Sequence, residues 1–220
     1  MREANQLQNT GAWFNDRTGK LTASRMAAAM SYLKAKKDEA PKEASERRKL
    51  KIEILAERLT GNIVPKYVTQ EMQWGIDQEP AAKEAFTAKT GLAITDLGFV
   101  DHPTIDLCGA SPDGLIESTH ELVEVKCPST ATMLSWLMEA AQDKTWVPEE
   151  YKPQMALQSA CIGGIPVWFC AFDPRLPEKN RLLVRKFVPT PEYIQEIEAH
   201  AVRFLGEIEA MFEQLSLGVE

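Results

Sequence analysis

Long apolar runs are missing from this chain: no stretch approaches the ~18–20 residues that a membrane-spanning helix needs. The first residues, Met1 to Gln6, are polar and carry no apolar signal core, so a cytoplasmic protein with no membrane partner is expected. Cysteine is scarce: Cys108, Cys127, Cys161 and Cys170 are the only four in 220 residues, and they form no CxxC pair. The three histidines, His102, His120 and His200, do not sit at zinc-finger spacing from them. Reduced, mostly buried thiols are therefore expected in place of a zinc site or a disulfide framework. Internal repeats, low-complexity tracts and a Pro/Gly-rich linker are absent as well. What is present, 44% hydrophobic and 26% charged residues, excludes a disordered or collagen-like chain. A chain of this length buries a sizeable core without metal or disulfide staples, and one domain over residues 1–220 is expected.

Positive charge is in deficit, 25 Lys and Arg against 32 Asp and Glu. The net −7 argues against a protein that coats nucleic acid nonspecifically. The distribution is uneven, however. Residues 34–51 hold eight Lys/Arg against four Asp/Glu, whereas residues 192–220 hold one Arg against seven Glu. The basic run 42–51 reads first as a solvated helix face, but a local basic lining remains compatible with a phosphate backbone.

Apolar periodicity predicts a helix over Leu21 to Lys34, capped by Thr22 or Ser24, and a second over Ala44 to Leu59 that Thr60-Gly61-Asn62 ends. An exposed turn is expected between them at Asp38 to Lys42. A helix from Gln70 to Thr90 should stop at Gly91. Strands are expected at Ala93 to Val100, Leu107 to Ala110, Gly114 to Ile116 and Leu122 to Lys126, with Ser118-Thr119-His120 turning between the last two. Helices follow over Thr132 to Gln142 and Pro153 to Ile162, then strands over Val167 to Phe172 and Leu182 to Val188. A long amphipathic helix from Pro191 to Leu215 closes the chain. This order implies an α/β domain with a central mixed β-sheet flanked by helices.

The segment that carries chemistry is Ser111-Pro112-Asp113-Gly114, then ten residues, then Glu124-Val125-Lys126. Side chains two apart on a strand share a face, so Glu124 and Lys126 emerge together, and a short hairpin brings Asp113 beside Glu124. Converging carboxylates call for a cation, and oxygen-only ligands suit Mg²⁺ or Mn²⁺. A lysine on the same face orients or deprotonates a water, which completes what phosphodiester hydrolysis requires. The bland alternative stays open at this point. Pro-Asp-Gly is a common turn and Glu-x-Lys a common strand-edge decoration. Leu122, Val123 and Val125, which suggest a half-buried strand where charge needs a reason, weigh against it.

The same segment, continued through Cys127-Pro128, resembles the PD-(D/E)xK nuclease core, the restriction-endonuclease-like fold. In particular it resembles phage exonucleases of the lambda-exonuclease/YqaJ recombinase type. Further matches occur in the family's order: Trp13 … Arg17-Thr18-Gly19-Lys20-Leu21-Thr22-Ala23-Ser24, Trp74-Gly75 … Glu79, Tyr151-Lys152-Pro153-Gln154 and Asp173-Pro174-Arg175. The resemblance implies that Asp113, Glu124 and the main-chain carbonyl of Val125 bind the metal and that Lys126 contacts the attacking water. It implies that Glu79 reaches a second ion directly or through water, and that Gln154 and Tyr151 line the site. Arg17, Ser24 and Ser111 would hold a 5′-terminal phosphate, with a helix starting near Ser24 aimed at it. Trp74 would stand near the site as the best candidate for stacking on a base. The implied activity is a 5′-to-3′ exonuclease that uses one or two Mg²⁺ ions (Mn²⁺ as substitute) on double-stranded DNA ends and leaves 3′ single-stranded tails. A homotrimer, a single-strand annealing protein as partner, and a phage or prophage gene expressed in a bacterial host are implied too. The rivals are an endonuclease of the same superfamily, which would cut circular DNA, and a non-catalytic DNA-binding or assembly module on the same fold.

Overall fold

The computed structural model describes residues 10–34, 40–63 and 68–216. The polar segment Met1 to Gln6, and Asp38 and Glu39 of the turn expected at Asp38 to Lys42, lie outside the described residues. In chain order the elements are helix α1 (Gly11–Arg17), strand β1 (Leu21–Thr22), α2 (Met26–Ala29), α3 (Ser45–Thr60), α4 (Gln70–Thr90), β2 (Val100–Asp101), β3 (Cys108–Ala110), β4 (Gly114–Ile116), β5 (Glu121–Lys126), α5 (Thr130–Gln142), α6 (Lys152–Cys161), β6 (Val167–Phe172), β7 (Leu182–Phe187) and α7 (Pro191–Ser216).

Two mixed sheets result, so the fold is α/β as expected, with the strands divided. One sheet has the order β4-β5-β6-β7, and only β5 and β6 run parallel in it. The other has the order β1-β3-β2, with β1 parallel and β2 antiparallel to β3. Strand β5 is covered on both faces. Leu122 packs with Met133, Trp136, Met155 and Phe169, on the side of α5 and α6. Val123 and Val125 pack with Ala82, Phe86 and Cys170, on the side of α4. Period-two alternation therefore directs Glu124 and Lys126 toward α6, and α4 crosses the opposite face. Helix ends obey local chemistry. Thr69 caps α4 by accepting from the backbone N–H of Met72 at 3.2 Å, and Gly61 and Gly91 end α3 and α4 at φ 67° and 73°.

Two expected elements are corrected. The helix over Leu21 to Lys34 is broken: Leu21 and Thr22 pair with Cys108 and Gly109, and residues 23–25 make a 3-10 turn before the single turn of α2. Beyond α2 the chain pairs again, Leu33 N–H donating to Lys42 O at 2.7 Å. Helical propensity loses here to distant backbone partners that a local reading does not see. The strand over Ala93 to Val100 shrinks to a bridge between Thr95 and Leu115 and to Val100 at the start of β2. Helix α1, capped by the Thr10 hydroxyl, has no counterpart in the sequence reading.

Candidate active site

The hairpin of β4 and β5 brings the two carboxylates together. Asp113 N–H donates to Val123 O at 3.0 Å, and Asp113 Oδ2 accepts the N–H of Val125 at 2.6 Å. Glu124 is 1% exposed, so its charge requires partners. Three side chains supply them. Oε1 accepts from Lys126 Nζ and from Gln154 Nε2, and Oε2 accepts from Gln158 Nε2. Lys126 Nζ also lies 4.9 Å from the centre of the Tyr151 ring, which itself stacks on Phe169.

A cleft of about 480 Å³ opens beside these groups, and Asp113, Val125, Lys126 and Tyr151 form one wall. Glu79 of α4 faces them from the other wall, with Met72 and Ile76. It is ion-paired with Lys83 at 2.8 Å, its neighbour one turn on. Among the described residues, no three His, Cys, Asp or Glu side chains gather closely enough to cage an ion. Glu79 acts on the other carboxylates across a gap.

The electrostatics record that convergence. Burial first, then the charges of Glu124 and Glu79, push the Asp113 carboxyl well above the usual carboxylate range, against the opposing pull of Lys126. Burial opposes the charge of Lys126, but Glu124 and Asp113 outweigh it and hold the ammonium protonated above the ordinary lysine range. Cys127, on the cleft wall, has its thiol pushed up to about 12, chiefly by burial, so it offers no thiolate. All four cysteines are free, and Cys108, Cys161 and Cys170 are buried. The donor set is thus two hard carboxylates in mutual repulsion, with no thiolate among them. That chemistry fits Mg²⁺ or Mn²⁺ held by Asp113, Glu124 and the Val125 carbonyl.

A second cluster adjoins the first. Ser111, two residues before Asp113, accepts from Trp13 Nε1 at 2.9 Å and from Arg17 Nη1 at 3.0 Å. Trp13 and Arg17 are four apart on α1, and the guanidinium lies 4.1 Å over the indole ring. With both acceptor sites of Ser111 Oγ filled, its own proton is left to donate. Burial and then the nearby Arg25 lower Arg17 to about 10, with Glu57 opposing, so it stays charged at neutral pH. Ser24 is exposed and hydrogen-bonds Thr22 Oγ1 at 3.2 Å; among the described residues nothing ties it to Arg17 or Ser111. The helix expected to start near Ser24 is a 3-10 turn and one helical turn, too short for an N-terminal anion site. Trp74 is half-buried, and Arg175 lies 4.4 Å over its ring while bonding Asp173 and Pro128 O. Two of the recognised motifs therefore meet, and the Trp74 face that carries Arg175 is not free to stack on a base.

Sequence reasoning missed Gln158 and Arg25. The i,i+4 spacing of Gln154 and Gln158 around apolar Met155, Ala156 and Leu157 was the available signal for the first. Arg25 gives no such signal, because its partners Glu53 and Glu57 come from α3.

Residues 12–164 match the family described as YqaJ-like viral recombinase domain. A solved structure of an alkaline exonuclease, LHK-Exo, from Laribacter hongkongensis is 35% identical, covering 94% of this chain and 96% of that one at a TM-score of 0.81. The same enzyme in complex with dAMP superposes at a TM-score of 0.82 with the same identity and coverage. A phage-related exonuclease from Haemophilus somnus 129PT, 14% identical over 89% of this chain and 96% of its own, shares the fold at a TM-score of 0.67. No curated protein matches. The fold and the hairpin site define an α/β protein of the lambda-exonuclease type, and the chain belongs to the YqaJ-like viral recombinase domain family. Among the described residues, no helix is long and apolar enough to cross a membrane.

Proposed function

We propose that this chain is a recombination exonuclease: one domain over residues 1–220 that hydrolyses linear double-stranded DNA from 5′ ends and leaves 3′ single-stranded tails. The observation that carries the reading is the convergence of buried Glu124 with half-buried Asp113 and Lys126, which line a cleft, with the Arg17–Ser111 pair two residues from Asp113. Likeness to an alkaline exonuclease over nearly the whole of both chains supports it.

Asp113, Glu124 and the Val125 carbonyl would hold one ion, and Glu79 would reach a second directly or through water. Mg²⁺, when bound, offsets the clustered carboxylates and draws negative charge from the scissile phosphate. Lys126, protonated, donates to the attacking water and aligns it in line with the phosphorus. Its charge partners make this orienting role better supported than proton abstraction. Tyr151 supports the lysine through its ring, and Gln154 fixes Glu124. Arg17 and Ser111 grip the 5′-terminal phosphate, so hydrolysis proceeds from that end, and Ser24 shares this role on family likeness alone. A homotrimer, a single-strand annealing partner and the cytoplasm of a bacterial host complete the reading, on family likeness.

The test incubates the purified protein with end-labelled linear duplex and with covalently closed circles, with Mg²⁺ and with chelator. Mg²⁺-dependent release of nucleotides from the linear substrate alone is expected. Cutting of circles would convert the assignment to an endonuclease, and no release from a folded protein would leave a binding module.

A further inference from the structure

Gln158 is completely buried on α6, one turn beyond Gln154, and its Nε2 donates to Glu124 Oε2. The other oxygen of Glu124, Oε1, already accepts from Gln154 and Lys126. A carboxylate oxygen offers two lone-pair sites. Oε1 is therefore filled, and Oε2 keeps one site open. The amide oxygen of Gln158, meanwhile, is buried and accepts nothing. Leucine or methionine would fill the same volume without an unpaired acceptor, so packing alone does not account for a glutamine here. Flipping the amide would set its oxygen against a carboxylate oxygen, so Glu124 fixes its orientation.

We infer that Gln158 is a positioning residue that, by tethering Oε2 of Glu124, would limit this carboxylate to a single-oxygen contact with a cation, and that this selects a small, hard ion over Ca²⁺. The inference rests on the metal-dependent reading above. Mg²⁺ accepts single oxygens in a tight octahedron and retains waters, whereas Ca²⁺ gains from two-oxygen carboxylate contacts and a larger shell. With Oε1 taken by two donors and Oε2 tethered by a third, Glu124 cannot turn both oxygens to one ion. Loss of such a supporting hydrogen bond lowers metal affinity by about 10–100-fold.

The test titrates Mn²⁺ into metal-free protein and follows the free-ion electron paramagnetic resonance signal, with Ca²⁺ as competitor. Wild type should bind Mn²⁺ and resist Ca²⁺. Gln158→Met, which keeps the volume and removes the donor, should bind Mn²⁺ about 10–100-fold more weakly and let Ca²⁺ compete better relative to Mn²⁺. Gln158→Asn, whose amide is one methylene short, should behave alike and stands in if the first variant does not fold. A residue that only packs would shift the melting temperature and leave the Mn²⁺/Ca²⁺ preference where it was; that result overturns the inference. So does wild-type protein that takes Ca²⁺ as tightly as Mn²⁺, whatever the variants do. Folded wild type that binds neither ion overturns the metal-dependent reading itself.

Discussion

Asp113 Oδ2 accepts the backbone N–H of Val125 at 2.6 Å, so the first carboxylate of the site is fastened to the strand that carries the second. The tie holds two negative groups together that would otherwise move apart. The cost of bringing them together appears as the raised Asp113 carboxyl, through burial first and then the charge of Glu124, while the tie itself lowers it.

That cost has a sign that can be measured. A carboxyl whose folded value lies above its unfolded value of about 3.9 binds its proton more tightly when folded, so stability falls as pH rises through the folded value. In chelator, Asp113→Asn should therefore melt above wild type, and the gap should widen as pH rises above the ordinary carboxylate range. Mg²⁺ should raise the wild-type melting temperature and leave the variant nearly unmoved. Hydrolysis should be abolished in Asp113→Ala and Glu124→Ala with the fold intact. A gap independent of pH, or activity near wild type in either alanine variant, would end the carboxylate-pair account.

Lys126→Ala should be almost inactive. Lys126→Arg separates the two roles open to the lysine, because arginine keeps the positive charge and does not give up a proton. Initial rates on linear duplex should place the arginine variant well above alanine if the side chain orients water. Equal loss in both would return the lysine to proton abstraction.

Arg17→Ala should shrink the preference for 5′-phosphorylated over 5′-hydroxyl ends. A lost charge-assisted hydrogen bond costs ~1.5–3 kcal/mol, or roughly 10- to 150-fold. Arg17→Lys should recover part, since it keeps charge and loses the planar fork that also stacks on Trp13. The ratio of rates on two otherwise identical duplexes decides this, and a ratio equal to wild type would make Arg17 a structural partner of Ser111 only.

Gly114→Ala probes how the hairpin sets Asp113. An added Cβ would sit 2.2 Å from Ile94 Cγ2 and 3.1 Å from Thr95 O. Overpacking of this kind costs about 1–3 kcal/mol, readable by urea denaturation, and the displaced strand should carry Asp113 out of register with Glu124. Undiminished stability together with full activity would show that the hairpin tolerates the shift.

The chain's own pattern determined the parts of this protein that depend on near neighbours. Alternation in Glu121 to Lys126 set Glu124 and Lys126 on one face, and glycines at 61 and 91 stopped two helices within a residue of their expected ends. The Asp113–Glu124 pairing was legible because a hairpin only a few residues long leaves the chain few ways to return. Tertiary structure decided what depends on partners distant in sequence. Leu21 and Thr22 form a strand because β3, over eighty residues away, supplies its backbone partner. Gln158 becomes a buried clamp on Glu124 because β5 and α6 pack face to face, and Arg17 meets Ser111 across 94 residues. Periodicity reports which face of an element is apolar, whereas a buried hydrogen bond is fixed by which two elements the whole chain brings within ~3 Å.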